Sequence, residues 1–150
     1  MPSDAPPVWI LGGSGYVAGE TVRLLSRHPG LKLAGVVSGS QVGEPIVSLF
    51  PHLGSTCEHL TFSSLAQAKG QIDHQERIGI ISAMPHGESE GALCDLLSGH
   101  TGRSHIVDLS ADFRFGQTLN DEPFLCALPD DTTEESTQHV AHPGCFTTAF

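Results

Sequence analysis

The sequence lacks the features that would bring the chain to a nucleic acid or a membrane. Its 17 acidic residues outnumber its 7 basic ones, and the formal net charge is −10 at pH 7. The basic residues stand singly along the chain, whereas a nucleic-acid surface needs clustered lysines and arginines. No apolar run approaches the roughly 20 residues that span a bilayer. We therefore expect neither a nucleic acid nor a membrane among the partners of this chain.

The chain also lacks the marks of a secreted or metal-binding protein. Its N-terminus has neither the positive charge nor the apolar core of a signal peptide. Its 4 cysteines include no CxxC pair. The one tight group of metal-ligating residues, His52, Cys57 and His59, matches no zinc signature. We predict a cytoplasmic protein without a metal site.

A glycine-rich stretch near the N-terminus organises the rest of the chain. Residues 8–11 predict a buried parallel strand, and a helical pattern begins directly after the glycines, with the spacing G-x-x-G-x-x-A. This is the context of a dinucleotide-binding loop, in which Gly12 permits the tight turn and Gly15 lets backbone N–H groups approach a pyrophosphate. The alternative is a glycine turn that binds no ligand. The predicted cofactor contacts in this loop are Gly12, Gly13, Ser14, Gly15, Tyr16 and Val17.

The end of the second predicted strand, residues 31–37, bears on the type of cofactor. An NAD site usually has Asp or Glu about 20 residues after the loop, but here the strand ends in Ser38-Gly39-Ser40. Without a carboxylate, nothing repels a 2′-phosphate, and two hydroxyls can donate to it. We predict NADP (NADPH) as the cofactor, with Ser38 as a contact. The alternative is that these are simply turn residues, since the usual Arg or Lys is also missing.

Strands and helices alternate along the remaining chain. Further strands are predicted over 58–62, 77–83, 105–110 and 138–141. Helices are predicted over 46–50 and 88–97, and residues 63–68 predict the capped start of another helix. This alternation is typical of an α/β fold, a Rossmann-like doubly wound parallel sheet. We assign residues 1–141 to this domain and interpret the polar, acidic residues 116–137 as a surface excursion. Ligands of such sheets bind at the carboxyl ends of the strands. We therefore expect the glycine loop and residues 38–40, 85–87 and 110–114 to lie together at this edge.

The last predicted feature is a cysteine that follows a sharp turn. Pro143-Gly144 forces the turn, and we expect a helix from Cys145 onward. The helix dipole favours the thiolate form of a cysteine at a helix N-terminus, and the thiolate is the form that attacks an acyl carbon. The other three cysteines fit the role of inert core residues better. A dinucleotide site and a reactive cysteine at one sheet edge indicate acyl-level redox chemistry.

Four motifs, in order along the chain, resemble those of the N-acetyl-γ-glutamyl-phosphate reductases, in the semialdehyde dehydrogenase NAD(P)-binding family. They are GGSGY at 12–16, PHG at 85–87, VDLSADFR at 107–114 and PGCF at 143–146. The aspartate-semialdehyde dehydrogenases share the fold, but their cysteine motif lacks the Pro-Gly-Cys-Phe form. The aminoadipyl-phosphate reductases of lysine biosynthesis are closely similar and stay open as an alternative.

The resemblance implies a reaction of arginine biosynthesis. In it, NADPH reduces N-acetyl-γ-glutamyl phosphate, a small-molecule acyl phosphate, to N-acetylglutamate semialdehyde with release of phosphate. Cys145 would be catalytic and form a thioester. Pro85 and His86 would lie near the cofactor. Ser110 and Arg114 would contact the substrate, although a salt bridge from Arg114 to a nearby aspartate is an equal alternative.

The resemblance also places a second, α+β domain after the catalytic-cysteine turn at residues 142–150. In the family that domain carries the acid–base histidine and most substrate contacts. We therefore expect this chain to be a fragment that binds cofactor without turnover, and a homo-oligomer in the full-length form. The alternative from another functional class is a non-catalytic NADP-binding or thiol redox-sensing module that uses Cys145 as its reactive thiol.

Overall fold

The computed structural model describes residues 5–127 and 139–145, and its strands join in one sheet. The elements in chain order are β1 (Pro7–Leu11), α1 (Tyr16–Leu25), β2 (Lys32–Val37), α2 (Ile46–Leu49), a 3-10 helix (Pro51–Thr56), β3 (Phe62–Ser63), α3 (Leu65–Ile72), β4 (Arg77–Ser82), α4 (Ser89–Leu97), β5 (Arg103–Asp108), β6 (Thr118–Leu119), β7 (Glu122–Cys126) and β8 (His139–Ala141). The strand order is β3-β2-β1-β4-β5-β8-β7-β6.

The sheet reverses its winding direction between β1 and β4. From β1 the chain moves to β2 and β3 on one side, then returns to place β4 and β5 on the other. Every neighbouring pair is parallel except β6 with β7, which is antiparallel. The predicted α/β, Rossmann-like doubly wound fold is therefore confirmed. The gap between the ends of β1 and β4 is the position where such sheets bind ligands.

Two apolar cores lie on opposite faces of the sheet, which explains the unbroken apolar run in β1. Trp9 and Leu11 pack into the core beneath α3 and α4, whereas Val8 and Ile10 pack into the core beneath α1. A strand that is covered on both faces has no polar side to alternate with. None of the helices in the described residues has the length and apolar character needed to cross a membrane.

The structure differs from the prediction for residues 116–137, which we interpreted as a surface excursion. The short strand β6 and the sheet strand β7 occupy the first part of this segment, while residues 128–138 lie outside the described residues. Phe124 of β7 is buried and stacks on Phe113, with 4.0 Å between ring centroids. Glu122 lies 2.9 Å from His139, which joins β7 to β8. Long-range packing therefore places β7, which includes the apolar residues 124–126, in the sheet, although the polar residues around it indicate a surface excursion.

Candidate dinucleotide and cysteine site

The fold itself requires two glycines of the loop that follows β1. Gly12 has a φ of +73°, and a Cβ there would lie 2.5 Å from the carbonyl oxygen of Ala83. A Cβ on Gly13 would lie 2.3 Å from the side chain of Val36. The N–H of Gly13 donates to the Val37 carbonyl at 2.8 Å. These contacts hold the loop against the ends of both neighbouring strands.

Gly15 differs, because the protein around it leaves room for a side chain. It is the N-cap of α1, with an ordinary extended backbone (φ −81°, ψ 159°), and no side chain of the described residues caps the helix there. The nearest atom to a Cβ on Gly15 would be 3.7 Å away. Residues 14–17 are all exposed, Tyr16 to 95%. Unpaired N–H groups and the helix dipole make this end of α1 a site for an anion.

At the end of β2, the two predicted hydroxyls have different exposure. Ser38 is buried, and its backbone N–H donates to the Ser63 carbonyl at 3.1 Å. Its Oγ lies 3.4 Å from the Oγ of Ser40, which is exposed. Ser40 therefore carries the hydroxyl that a ligand at this corner would meet.

Asp112, which is distant from α4 in the sequence, caps the N-terminus of that helix. Its carboxylate accepts hydrogen bonds from the backbone N–H groups of Gly87 (2.6 Å), Ser89 (2.9 Å) and Glu90 (3.4 Å). Burial acts to raise the pKa of Asp112, but these bonds and one from the Ser110 side chain outweigh it and hold the pKa below its usual value. The sequence analysis missed this role, because no local pattern links residues more than 20 positions apart.

The loop that follows β4 is exposed and bound to the loop that follows β5. Pro85 and His86 are both exposed at the carboxyl edge of the sheet. The Nδ1 atom of His86 accepts a hydrogen bond of 3.0 Å from the backbone N–H of Ala111. Together with the bond from Gly87 to Asp112, this holds the two loops side by side.

A buried chain of hydroxyls ends on Asp108 beneath these loops. Ser89 donates to one carboxylate oxygen of Asp108 at 2.6 Å, and Ser110 donates to the other at 2.7 Å. The Ser82 and Ser89 hydroxyls are 2.6 Å apart, so Ser82 must donate to Ser89. Ser110 is 1% exposed, and its Oγ also accepts from a backbone N–H. Its hydroxyl, a predicted substrate contact, is thus engaged within the protein.

The turn before Cys145 rests on the guanidinium of Arg114. Gly144 has a φ of +106°, and a Cβ there would lie 3.2 Å from Nη1 of Arg114. Gly144 must therefore be glycine both for its backbone conformation and for this close approach. Cys145 is exposed and has helical backbone conformation. The helix predicted to continue from it falls on residues 146–150, which lie outside the described residues.

Arg114 itself binds two backbone carbonyls. Its Nε donates to the His142 carbonyl at 2.8 Å, and its Nη2 donates to the Leu109 carbonyl at 3.2 Å. Within the described part of the chain it forms no ion pair with Asp108 or Asp112, the alternative we left open. The N–H of His142 also donates to the Asp108 carbonyl at 2.8 Å. Two independent contacts therefore tie the Cys145 turn to the end of β5.

Exposure alone does not distinguish Cys145 from the other cysteines, which are all free. Cys57 is buried, as expected of a core residue, but Cys94 and Cys126 are exposed. The distinguishing feature of Cys145 is its place after β8, at the edge that carries the glycine loop.

A cavity of about 1550 Å³ lies at the opposite edge of the sheet, lined by residues at the amino ends of the strands such as Lys32, Arg77 and Arg103. The glycine loop and the Cys145 turn are at the carboxyl edge, where doubly wound sheets bind their ligands. We therefore take the carboxyl edge as the candidate functional site. It unites the glycine loop, Ser40, His86 and Cys145, and it leaves the hydroxyls of Ser38 and Ser110 in the interior.

Residues 7–135 match the family model of the semialdehyde dehydrogenase NAD-binding domain. N-acetyl-gamma-glutamyl-phosphate reductase of Rhodospirillum rubrum is 41% identical over 118 residues, which cover 78% of this chain and 32% of that protein. LysW-L-2-aminoadipate/LysW-L-glutamate phosphate reductase of Pyrococcus horikoshii is 33% identical over 156 residues, covering 95% of this chain and 43% of that protein. The chain thus spans less than half the length of these two relatives.

Two solved structures share the fold. Aspartate semialdehyde dehydrogenase with NADP from Candida albicans has a TM-score of 0.60 at 14% identity, covering 84% of this chain and 34% of its own. RSP in complex with beta-NAD+ and operator DNA has a TM-score of 0.52 at 13% identity, covering 97% of this chain and 52% of its own. At such identities the likeness shows the fold alone. The family model, which matches most of the chain, establishes that the chain belongs to the semialdehyde dehydrogenase NAD-binding domain family.

Proposed function

We propose that this chain is the cofactor-binding part of an NADPH-dependent acyl-phosphate reductase and carries its nucleophile, Cys145. The observation that carries the proposal is that one sheet edge holds both the open N-terminus of α1 and the Cys145 turn. The proposed reaction converts N-acetyl-γ-glutamyl phosphate to N-acetylglutamate semialdehyde, in line with the name of the Rhodospirillum relative. The acid–base group and most of the substrate contacts would come from a second domain.

The residues at the glycine loop fit a dinucleotide. The N–H groups at the start of α1 would bind its pyrophosphate, and Gly15 would let the phosphates reach the backbone. Ser40 would donate to the 2′-phosphate that distinguishes NADP from NAD, with Ser38 buried beneath it. When bound, NADPH supplies the hydride that reduces the acyl group. The exposed residues 14–17 and the open space at Gly15 support this fit.

The position of Cys145 suits nucleophilic attack on an acyl phosphate. Its thiolate would form a C–S bond to the acyl carbon while the C–O bond to phosphate breaks, which releases phosphate and leaves a thioester. After reduction of that carbon, the C–S bond would break, returning the thiolate and releasing the aldehyde. Arg114 would keep the turn in place for both steps through its bonds to the His142 and Leu109 carbonyls.

A second candidate substrate is the aminoadipyl or glutamyl phosphate carried by LysW. The Pyrococcus relative, whose name includes this substrate, matches 95% of the chain. Cys145 and the α1 site would perform the same chemistry on either acyl group. Supplying each acyl phosphate to a version extended through the second domain, and comparing the rates of NADPH oxidation, separates the two.

Protection of Cys145 by the cofactor tests the proposal. If NADPH and the thiol share one edge, NADPH should slow the labelling of Cys145 by iodoacetamide and leave Cys94 and Cys126 unchanged. These two exposed cysteines are internal controls for any general effect on folding. Peptide mapping of labelled protein at several NADPH concentrations gives the rates. Binding of NADPH without selective protection of Cys145 would contradict the proposed site.

A further inference from the structure

We propose that His86 is a hydrogen-bond donor, through its Nε2–H, to the nicotinamide half of the bound cofactor. The inference rests on the proposed function, because it requires a dinucleotide at the carboxyl edge of the sheet. It assigns one tautomer and one role to a histidine that sequence reasoning places only near the cofactor.

The hydrogen bond to Ala111 fixes the tautomer of His86. The backbone N–H of Ala111 points at Nδ1 from 3.0 Å. A backbone N–H can only donate, so Nδ1 must accept and carries no proton. In the neutral ring the proton is therefore on Nε2.

A second hydrogen bond, running in the opposite direction, keeps the ring in place. The N–H of Gly87 donates to the Asp112 carboxylate at 2.6 Å, one residue after the Ala111–His86 bond on each loop. Asp112 in turn accepts from the first turn of α4. The His86 loop is thus held at both its side chain and its backbone, and Asp112 acts as its positioning residue.

The position of the loop places His86 on the side of the sheet where one half of a dinucleotide would lie. By the general rule for doubly wound sheets, the adenosine ribose would lie at the end of β2 and the pyrophosphate near β1, which would leave the nicotinamide half on the β4 side. The β4–α4 loop also touches the glycine loop, since a Cβ on Gly12 would lie 2.9 Å from the backbone nitrogen of Met84. His86 is exposed, which leaves Nε2–H free to meet an oxygen of the ligand.

The same tautomer prevents His86 from acting as the base for Cys145. With Nδ1 accepting and Nε2 protonated, the ring has no lone pair to take a proton unless the Ala111 bond breaks. His142 is in the same state, since its Nδ1 accepts from the N–H of Gly144 at 3.0 Å. In their neutral forms, His86 and His142 can therefore only donate through Nε2–H while these bonds last.

Nuclear magnetic resonance of protein with ¹⁵N-labelled histidine reads the tautomer directly. Long-range ¹H–¹⁵N correlation should show the neutral ring of His86 protonated at Nε2, with and without NADPH. His86→Gln assigns the signal. Asp112→Ala should shift the ring towards a mixture of tautomers, and Asp112→Asn, which keeps an acceptor oxygen, should shift it less. A neutral ring protonated at Nδ1 would overturn the proposal.

NADPH affinity tests the donor role separately. His86→Leu, which has no donor, should bind NADPH about five- to tenfold more weakly, as expected for one lost hydrogen bond. His86→Gln, which carries an N–H at a similar reach, should stay within about twofold of the original chain. If the original chain binds NADPH and His86→Leu binds equally well, the donor role is wrong while the proposed function stands. If the original chain does not bind NADPH, the proposed function itself fails.

Discussion

Helices α1 and α4 both begin at the carboxyl edge of this sheet, and their N-termini are capped differently. The Asp112 carboxylate caps the N-terminus of α4 and accepts hydrogen bonds from the backbone N–H groups of Gly87, Ser89 and Glu90. The N-terminus of α1 has no side-chain cap, and the residues that lead into it are exposed. One helix end is therefore occupied by an anion of the protein, and the other is open to an anion from solution.

This difference supports our proposal that the N-terminus of α1 binds a ligand, whereas the N-terminus of α4 stabilises the fold. A phosphate at α4 would have to displace a bound carboxylate and would meet its negative charge. A phosphate at α1 meets only N–H groups and the positive end of the helix dipole. We therefore propose that a dinucleotide binds at α1, whereas the N-terminus of α4 holds the loop that carries His86.

We expect the largest effect on stability from a substitution in the glycine loop before α1. Gly12→Ala places a Cβ 2.5 Å from the Ala83 carbonyl on a backbone with φ of +73°. We expect the free energy of unfolding to fall by about 2–4 kcal/mol. Gly15→Ala, where the nearest atom to the Cβ is 3.7 Å away, should change it by less than about 0.5 kcal/mol. Urea denaturation followed by Trp9 fluorescence measures both, and equal losses would contradict the different roles of these glycines.

Removing the carboxylate from α4 should make its N-terminus resemble that of α1. Asp112→Ala leaves three N–H groups without their acceptor, and we expect a loss of about 1–2 kcal/mol in the free energy of unfolding. Asp112→Asn keeps an acceptor oxygen without the charge and should lose less. Denaturation of the three proteins under one set of conditions gives the comparison. If Asp112→Ala has the same free energy of unfolding as the original chain, the carboxylate cap does not contribute to stability.

Adding a carboxylate beside the α1 site should make it resemble α4. Ser40→Asp places a negative charge where the 2′-phosphate of NADP is expected, since Ser40 is the exposed hydroxyl at the end of β2. We expect the affinity for NADPH to fall by about tenfold relative to that for NADH. Ser40→Asn is the uncharged control of similar size. Fluorescence titration with both cofactors measures the ratio, and an unchanged ratio would remove Ser40 from the NADP site.

The cap on α4 should also give stability a small dependence on pH. The pKa of Asp112 is lower in the folded chain than its ordinary value of 3.8, so near that pH the unfolded chain binds more protons. The contribution of Asp112 is therefore complete above the unfolded pKa and is lost as the pH falls through the folded one. The difference in unfolding free energy between the original chain and Asp112→Asn should be constant above about pH 5 and shrink below about pH 4. If the difference in unfolding free energy grows as the pH falls, this prediction is wrong.

Sequence reasoning succeeded where the site is built from neighbouring residues. The apolar run before Gly12, the glycines and the helical pattern after them lie within one short segment, so their geometry follows from local rules. The alternation of strands and helices then gave the sheet, because parallel strands need crossovers. The turn before Cys145 was likewise predictable, since Gly144 has the positive φ that its sequence context suggests.

Sequence reasoning failed where a contact joins segments that are distant along the chain. Asp112 caps a helix that begins 23 residues earlier, and Arg114 binds a carbonyl 28 residues later. Neither pairing leaves a mark in the local pattern. Strand β7 was missed for the same reason, because Phe124 is buried by packing on residues of other segments, Phe113 and His139 among them. Burial of Ser38 and Ser110 also depends on neighbours that the sequence does not reveal.

The most direct test of the account is NADPH affinity after a side chain is added at the open end of α1. Gly15→Val should weaken binding by at least about tenfold, since it blocks the approach of a phosphate to charge-assisted N–H donors. Gly91→Val is the matched control, because Gly91 lies in the first turn of α4 and a Cβ there would meet nothing within 4 Å. Fluorescence titration should find normal affinity in Gly91→Val and normal circular dichroism in both variants. Equal NADPH affinity of Gly15→Val and the original chain would contradict the assignment of α1 as the dinucleotide site.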